Sequence, residues 1–418
     1  MRPRLRLHTL SPLLIGASLF GAIPSATAQE ALDPGFVAWL GGVHDEALSR
    51  GVSERTWQAA RPAMHPIERV LELDAKQPEF VETFWNYLDR RVNGQRIEEG
   101  RKLMQKHHAL LAKIAHDYGV PPGILLAFWG METHYGKFTG GYPVVGALAT
   151  LAYDARRSRF FRAELLDALD ILQADHIKAD VMLGSWAGAM GQVQFMPSTF
   201  RRYAVDADGD GHKDIWSSPA DALASAAHYL HEAGWQAEQP WGEPVRLSAN
   251  FDWQLARLDV KKSLSAWAAL GISRSDGSPL PQLDETASIL LPQGHTGPAF
   301  LVYGNFDVML TWNRSVNYAL AVGHLADRLE GAPALYLGRD ADNRRLTREQ
   351  AMEIQQRLAQ LGFNAGEPDG VLGSKTRAAI RAYQAANNLP ADGYPSLPLL
   401  EQLQAAVSRP SKTALLLF

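Results

Sequence analysis

From Asp33 to about Leu183 the apolar residues recur at the 3.6-residue period of helices, not the two-residue alternation of strands. A chain so patterned has to build its core by packing helices. Leu103, His107, Leu110, Leu111, Ile114 and Tyr118 follow the i, i+4, i+7, i+8, i+11, i+15 order of a single helix with one face on the core. Pro121 and Pro122 stop that helix and open the next, because proline is tolerated in a first turn but not in an interior. Further on, Ser218 as N-cap, Pro219 behind it and Asp221 at the third position announce a helix running through Ala226 and Leu230 to a stop at Gly234. Ala287 to Leu291 and Ala299 to Tyr303, joined by a Gly- and Pro-containing loop, read as a β-hairpin. Tyr318, Val322, Leu325 and Leu329 mark a closing helix. The expected fold class is mainly α with a small β-hairpin element.

The 418 residues are too many for one small core and predict two or three domains. Residues 1–28 carry Arg2, Arg4 and Arg6, an apolar stretch from Leu13 to Ile23 and the small-residue sequence Ala26-Thr27-Ala28, which is the pattern of a secretory signal peptide. The apolar run is broken by Ser18, Gly21 and Pro24 and falls short of the roughly 20 residues a spanning helix needs. The expected mature protein is soluble and exported, with no membrane anchor after cleavage.

There is no cysteine, which excludes disulfides, thiolate catalysis, cysteine-bound metals and a lipidated cysteine. Loss of the leader removes three positive charges and moves the formal charge from −4 to −7. Nucleic acid is therefore not an expected partner, since phosphate binding relies on an excess of Lys and Arg. Residues 29–332 form the expected main domain and 333–345, with Pro333 and charged turn residues, a linker. A unit at 346–407 has one helix through Ala351, Ile354, Leu358 and Leu361, a turn-rich stretch from Gly362 to Gly373, and a second helix through Thr376, Ile380 and Tyr383. The tail 408–418 carries no readable signal.

The segment from Gly123 to Gly136 is apolar through its helix except for Glu132 at the end. A carboxylate in apolar surroundings is costly unless paired or protonated, so its pKa should rise, and a Glu protonated near neutral pH can donate a proton to a glycosidic oxygen and take one back. From this helix alone, a helix-end Glu in a surface salt bridge is an equally good reading.

Two strings narrow the choice: Glu132-Thr133-x-Tyr135-Gly136, and Gly184-Ser185-Trp186-Ala187-Gly188-Ala189-Met190-Gly191-Gln192-Val193-Gln194-Phe195-Met196-Pro197-Ser198. With Leu151-Ala152-Tyr153-Asp154, Arg156, Arg157, Tyr303-Gly304-Asn305-Phe306 and Trp312-Asn313, they resemble the membrane-bound lytic transglycosylase B family over roughly Phe36 to Leu329. The resemblance implies a lysozyme-like helical catalytic domain acting in the periplasm on peptidoglycan glycan strands. It implies that Glu132 protonates the oxygen between N-acetylmuramic acid and N-acetylglucosamine, and that the muramoyl C6 hydroxyl closes on C1 to leave a 1,6-anhydro end. The substrate then supplies its own nucleophile and one carboxylate is enough, unlike the paired-carboxylate scheme.

By the same resemblance Ser185, Gln192, Gln194, Tyr229, Tyr303 and Asn305 are the candidate substrate-binding residues. Gln192 also reads as scaffold inside a Gly-rich stretch, and Tyr229 as a core aromatic. Arg156 and Arg157 read either as contacts to substrate carboxylates or as a solvated face. Peptidoglycan is acidic and so is this chain, so recognition has to come from placed polar and aromatic groups.

Asp206, Asp208, Asp210 and Asp214 occupy positions one, three, five and nine of an EF-hand-like loop, with Gly211 at six and the carbonyl of His212 at seven. Position twelve is Ser217 instead of a bidentate Glu, so the expected ion is a structural Ca2+ in a departing loop, and the chemistry itself requires no cofactor. The C-terminal unit resembles the peptidoglycan-binding domain 1 family, through Ile354-Gln355-Gln356-Arg357-Leu358, Leu361-Gly362-Phe363, Pro368 to Gly373 and Thr376 to Ile380, which implies a small three-helix domain that concentrates substrate. Two alternatives stay open: a hydrolytic muramidase, for which Asp154 would activate water, and a catalytically silent peptidoglycan-binding protein.

Overall fold

A computed structural model of the chain describes residues 33–75, 82–154, 158–174, 177–282, 284–339 and 344–408. The expected leader, Arg156, Arg157, part of the linker and the tail from 409 lie outside the described residues.

The helix Pro122–Thr133 is apolar on every side and is the axis of the main bundle, with every residue from Gly123 to Met131 buried. Pro122 sits in its first turn, as expected of a residue whose missing N–H would have no helical partner there. The helix packs against Val316–Leu329, the expected closing helix, and against Gly94–Lys106. A second pair, Val144–Tyr153 on Ser158–Gln173, extends the same core. The Pro219–Glu232 helix begins as read, with the Ser218 side chain accepting from the Asp221 N–H. No helix among the described residues is long and apolar enough to cross a membrane.

The stripe from Leu103 to Tyr118 is not one straight helix. It divides into Gly94–Lys106 and His108–Tyr118, with His107 between them at φ −103° and ψ 20°. The i→i−4 bonds His107 N to Leu103 O and Leu111 N to His107 O persist at 2.9 Å, so the periodicity runs through the bend unbroken. The bend has a tertiary correlate: the His107 ring packs edge-on against Trp129 of the axial helix, with centroids 6.1 Å apart. No Pro or Gly marks the site, so local sequence carried no sign of it.

The expected hairpin is present, with Thr286–Leu290 antiparallel to Ala299–Val302 and Ser288, Ile289 and Leu290 opposite Val302, Leu301 and Phe300. It belongs, however, to a larger five-stranded antiparallel sheet ordered Lys262–Ser263, Thr286–Leu290, Ala299–Val302, Gly242–Arg246 and Ser273–Arg274. The two edge strands are two residues long, too short for alternation to register in sequence. Beneath the sheet lies a separate core that includes Phe251, Trp267, Ile289 and Tyr303.

The C-terminal unit has the expected three helices, Arg348–Gln360, Ser374–Ala386 and Leu397–Ser408, around Ile354, Leu358, Ile380 and Leu403. Two buried glutamines staple its turns in the same way. The Gln355 amide takes the Gly370 N–H and gives to Asp369, and the Gln384 amide takes the Gly393 N–H and gives to Asp392. Asp392 also reaches the main domain, where its Oδ2 accepts from the His295 N–H at 2.8 Å and meets His295 Nδ1 at 2.6 Å. The connecting segment is pinned too: Arg339 forks onto Asp89 at 2.6 and 2.7 Å and stacks over Trp85, whose indole N–H donates to Gly338 O.

Two glycines make opposite predictions. A Cβ at Gly323, inside the closing helix, would stand 2.4 Å from ring atoms of Trp241, and that ring is held by its N–H bond to Asp327. Gly323→Ala should therefore destabilise by about 1–3 kcal/mol, read as a lower urea midpoint at unchanged slope. Gly41, on an exposed helix face with nothing within 4 Å, should gain about 0.5–1 kcal/mol as Ala.

Candidate active site

Glu132 lies in the last turn of the axial helix, where the chain leaves helical geometry abruptly. His134, Tyr135 and Gly136 all adopt left-handed backbone, at φ 53°, 61° and 81°. Two of them are not glycine, a conformation that costs on the order of 1 kcal/mol or more each and needs compensation. The compensation is visible. Tyr135 is buried edge-on against Trp129 with its hydroxyl donating to Arg96 O at 2.8 Å, and Thr133 Oγ1 accepts from the Gly136 N–H while donating to Gln192 O at 2.7 Å. The turn locks the end of the helix, and with it the Glu132 backbone.

The Glu132 carboxyl is enclosed by aromatic rings. Its Oε1 accepts from the Tyr318 hydroxyl at 2.5 Å and from the Trp312 indole N–H at 2.9 Å. Phe128 packs 4.6 Å from Trp312, which in turn meets Phe195 at 5.4 Å and Tyr229 at 5.0 Å. The residue is half-buried. Burial raises its pKa above the usual carboxylate value, and the bonds from Tyr318 and Trp312 and the charge of Arg91 pull the other way without cancelling it. A carboxyl so placed can hold a proton and pass it to a bound group.

The other expected residues divide by where they sit. Tyr229 joins the aromatic wall through Trp312, with its hydroxyl 3.4 Å from Thr311 Oγ1. Gln194, itself left-handed at φ 52°, uses Nε2 to tie Thr139 O to Gly191 O, each at 3.0 Å, and its side-chain oxygen has no protein partner among the described residues. Ser185 Oγ accepts from the Ala189 N–H in a tight turn of the Gly-rich loop.

Gln192 is buried, taking the Trp129 indole N–H and giving to Trp216 O. Asn305 has no exposure at all, and its amide is bonded to the backbone of Gln236 and Gln239. Tyr303 is 2% exposed in the core under the sheet, with its hydroxyl on Glu243, and burial pushes that phenol up. Gln192 and Asn305 spend their side-chain groups on the protein itself, and Tyr303 is among the residues lining a small cavity with Gln239 and Lys261. Asp154 follows the end of the Val144–Tyr153 helix, with its N–H bonded to Thr150 O.

Sequence reasoning passed over Trp312 and Tyr318 as site residues, and also Tyr87 and Arg91, whose charges are coupled to Glu132 or Tyr318. Trp312 had a signal in the Trp312-Asn313 pair. Tyr318 had none, because it stands in the apolar stripe of the closing helix and reads as core.

The acidic loop brings carboxylate oxygens of Asp206, Asp208 and Asp210 within 4.8 Å of one another. Asp206 also accepts from the Gly211 and Gly209 N–H groups, the first of which contributes most to holding its pKa down. Such an all-oxygen set suits a hard cation such as Ca2+. Asp214 instead turns its carboxylate to the N–H groups of Trp216 and Ser217 and to the Ser217 hydroxyl. His212 gives its N–H to Asp210. Asp221, missed in sequence, is fully buried and anchors the loop by accepting from Ala207 N and Asp214 N.

Residues 35–327 match the family model described as Transglycosylase SLT domain, and residues 347–403 that described as Putative peptidoglycan binding domain. Membrane-bound lytic murein transglycosylase B of Escherichia coli (strain K12) is 34% identical over 246 residues, a match covering 57% of this chain and 65% of that relative, just under two thirds of its length. The crystal structure of SltB3 from Pseudomonas aeruginosa in complex with NAG-anhNAM-pentapeptide is 45% identical with a TM-score of 0.84, covering 89% of this chain and 100% of that one. A lytic transglycosylase of Escherichia coli in complex with calcium is 28% identical with a TM-score of 0.60, covering 71% and 93%.

The raised Glu132 pKa makes a stability prediction. A carboxyl that holds its proton more tightly folded than unfolded costs nothing below its unfolded pKa, near 4.5, and costs progressively more as pH rises from there to the folded pKa. Glu132→Gln keeps an oxygen for Tyr318 and Trp312 and removes the charge. Its Tm should match the parent at pH 4 and exceed it at pH 7; an equal Tm at both would show that the carboxyl carries no desolvation penalty.

Proposed function

This chain belongs to the transglycosylase SLT domain family, and we propose that it is a periplasmic enzyme that cleaves the β-1,4 bond between N-acetylmuramic acid and N-acetylglucosamine without water. The observation that carries the reading is the Glu132 carboxyl, enclosed by Phe128, Trp312 and Tyr318 and with its pKa raised by burial.

In the proposed mechanism Glu132 gives its proton to the glycosidic oxygen as the bond to C1 breaks. The muramoyl C6 hydroxyl then attacks C1 and returns its proton to Glu132, so the carboxyl ends as it began and the product is a 1,6-anhydromuramoyl end. Tyr318 and Trp312 steady the carboxylate between the two transfers, since hydrogen bonds to the charged form favour it. Enclosure of the carboxyl by rings supports an internal nucleophile over water activation.

We assign the Gln194 side-chain oxygen, Ser185 and the face of Tyr229 to sugar binding, and Gln192, Tyr303 and Asn305 to the scaffold behind them. The relative's complex with NAG-anhNAM-pentapeptide supports peptidoglycan as the substrate, and the C-terminal unit raises its local concentration. Export rests on the leader pattern of residues 1–28. Asp206, Asp208 and Asp210, with the His212 carbonyl, would hold a Ca2+ that supplies structure rather than chemistry.

Digestion of purified sacculi followed by mass spectrometry tests the reaction. Anhydromuramoyl ends should dominate and should fall by about 10²-fold or more in Glu132→Gln; reducing ends that take up labelled water would replace this mechanism with hydrolysis. Tyr318→Phe removes a donor to the carboxylate and should move the alkaline limb of the rate profile to higher pH. For the loop, millimolar Ca2+ should raise Tm in the parent and not in Asp208→Ala, whereas equal responses would remove the ion from that loop.

A further inference from the structure

We propose that the cavity between the main domain and the C-terminal unit is a subsite for the free terminal carboxylate of a short peptide with small aliphatic side chains, bound by Arg377 and Arg381. The proposal rests on the peptidoglycan reading for its source of ligand and on the cavity for everything else.

The cavity measures about 690 Å³, inside the range of small-ligand pockets. Its main-domain wall includes Arg257, Leu258, Leu291 and Val316, and its other wall is the first three turns of the Ser374–Ala386 helix, with Arg377 and Arg381 one turn apart. Three guanidiniums and two carboxylates, Asp259 and Asp392, line it. Both carboxylates are engaged. Asp259 is forked by Arg257, and Asp392 accepts from His295, Gln384 and the Tyr394 N–H.

Arg377 and Arg381 feel Asp392 only at a distance. Among the described residues neither guanidinium has a hydrogen bond or ion pair, and Arg381 Nε is buried without a partner. Arg377 is half-buried and lines the cavity. Desolvating a cation without pairing it is expensive, and a planar fork is shaped for a carboxylate. The remaining surface is aliphatic, from Leu258, Leu291, Val316 and Ala378, which suits methyl side chains beside that carboxylate.

The cavity is also close to the chemistry. Val316 and Asn317, on its wall, belong to the same helical turn as Tyr318, whose hydroxyl holds Glu132. The C-terminal unit would then select strands by the end of their peptide rather than only concentrate them.

Calorimetry on the full-length mature chain tests this with N-acetyl-Ala-D-Glu-Lys-D-Ala-D-Ala, its C-terminal amide, and inorganic phosphate as competitor. The acid should bind at least ten-fold more tightly than the amide, and the double variant Arg377→Met, Arg381→Met should bring the two together. Arg377→Lys, which keeps charge without the fork, should lose part of the preference. Equal binding of acid and amide by the parent, or a preference that survives in the double variant, would overturn the subsite. Displacement of the peptide by phosphate at equal concentration would reduce it to an unspecific anion site. Should the double variant fail to fold, the acid and amide on the parent chain decide the matter alone. A parent chain that shows no preference for the acid while Glu132-dependent release from sacculi proceeds would overturn the subsite and leave the enzyme reading standing.

Discussion

The desolvated carboxyl of Glu132 is the constraint around which the rest is arranged. An acid in that position opposes folding at neutral pH, because a charge taken from water needs partners or a proton. The fold meets the demand with donors from a distant part of the chain, Trp312 and Tyr318, and with apolar rings from Phe128 and Phe195. It supplies two hydrogen bonds to one oxygen, which pull the pKa down without cancelling the rise that burial imposes.

Holding that geometry requires a rigid platform, which explains the local irregularities. Left-handed Tyr135 would be unfavourable in an isolated turn, but here its ring fills the space beside Trp129 and its hydroxyl satisfies Arg96 O. Gly191 is left-handed as well, at φ 64°, and its Cα lies so near the Ile215 carbonyl that a Cβ would approach to 2.6 Å. Backbone from the Gly-rich loop can therefore be drawn against the end of the Glu132 helix, where Gln192 O receives Thr133. Strain in these few residues is exchanged for a helix terminus that cannot wander.

Much of this was legible in the sequence wherever a local rule carried the information. The Ser218 cap, the Pro122 start, the hairpin and the first two C-terminal helices each depend on residues near one another in the chain, and each was read, whereas the third C-terminal helix was expected only from the resemblance. The kink at His107, the two-residue edge strands and Asp221 beneath the acidic loop depend on tertiary neighbours and left no local trace. The site divided the same way. Glu132 stood out as one carboxylate in an apolar run, whereas Tyr318 was hidden because a residue that buries its ring and offers its hydroxyl to an acid has the periodicity of core.

The closing helix ties these parts together. Val316–Leu329 packs along the Glu132 helix, gives Tyr318 to the carboxyl, and presents Val316 and Asn317 to the cavity under the C-terminal unit. That unit is held at two places, by Asp392 on His295 and, through the connecting segment, by Arg339 on Asp89 and Trp85. A binding module on a free tether would add only effective concentration. One clasped at two points, with its own cations facing a cavity a helical turn from the acid's hydrogen-bond donor, instead has its position relative to the reacting bond set by the fold.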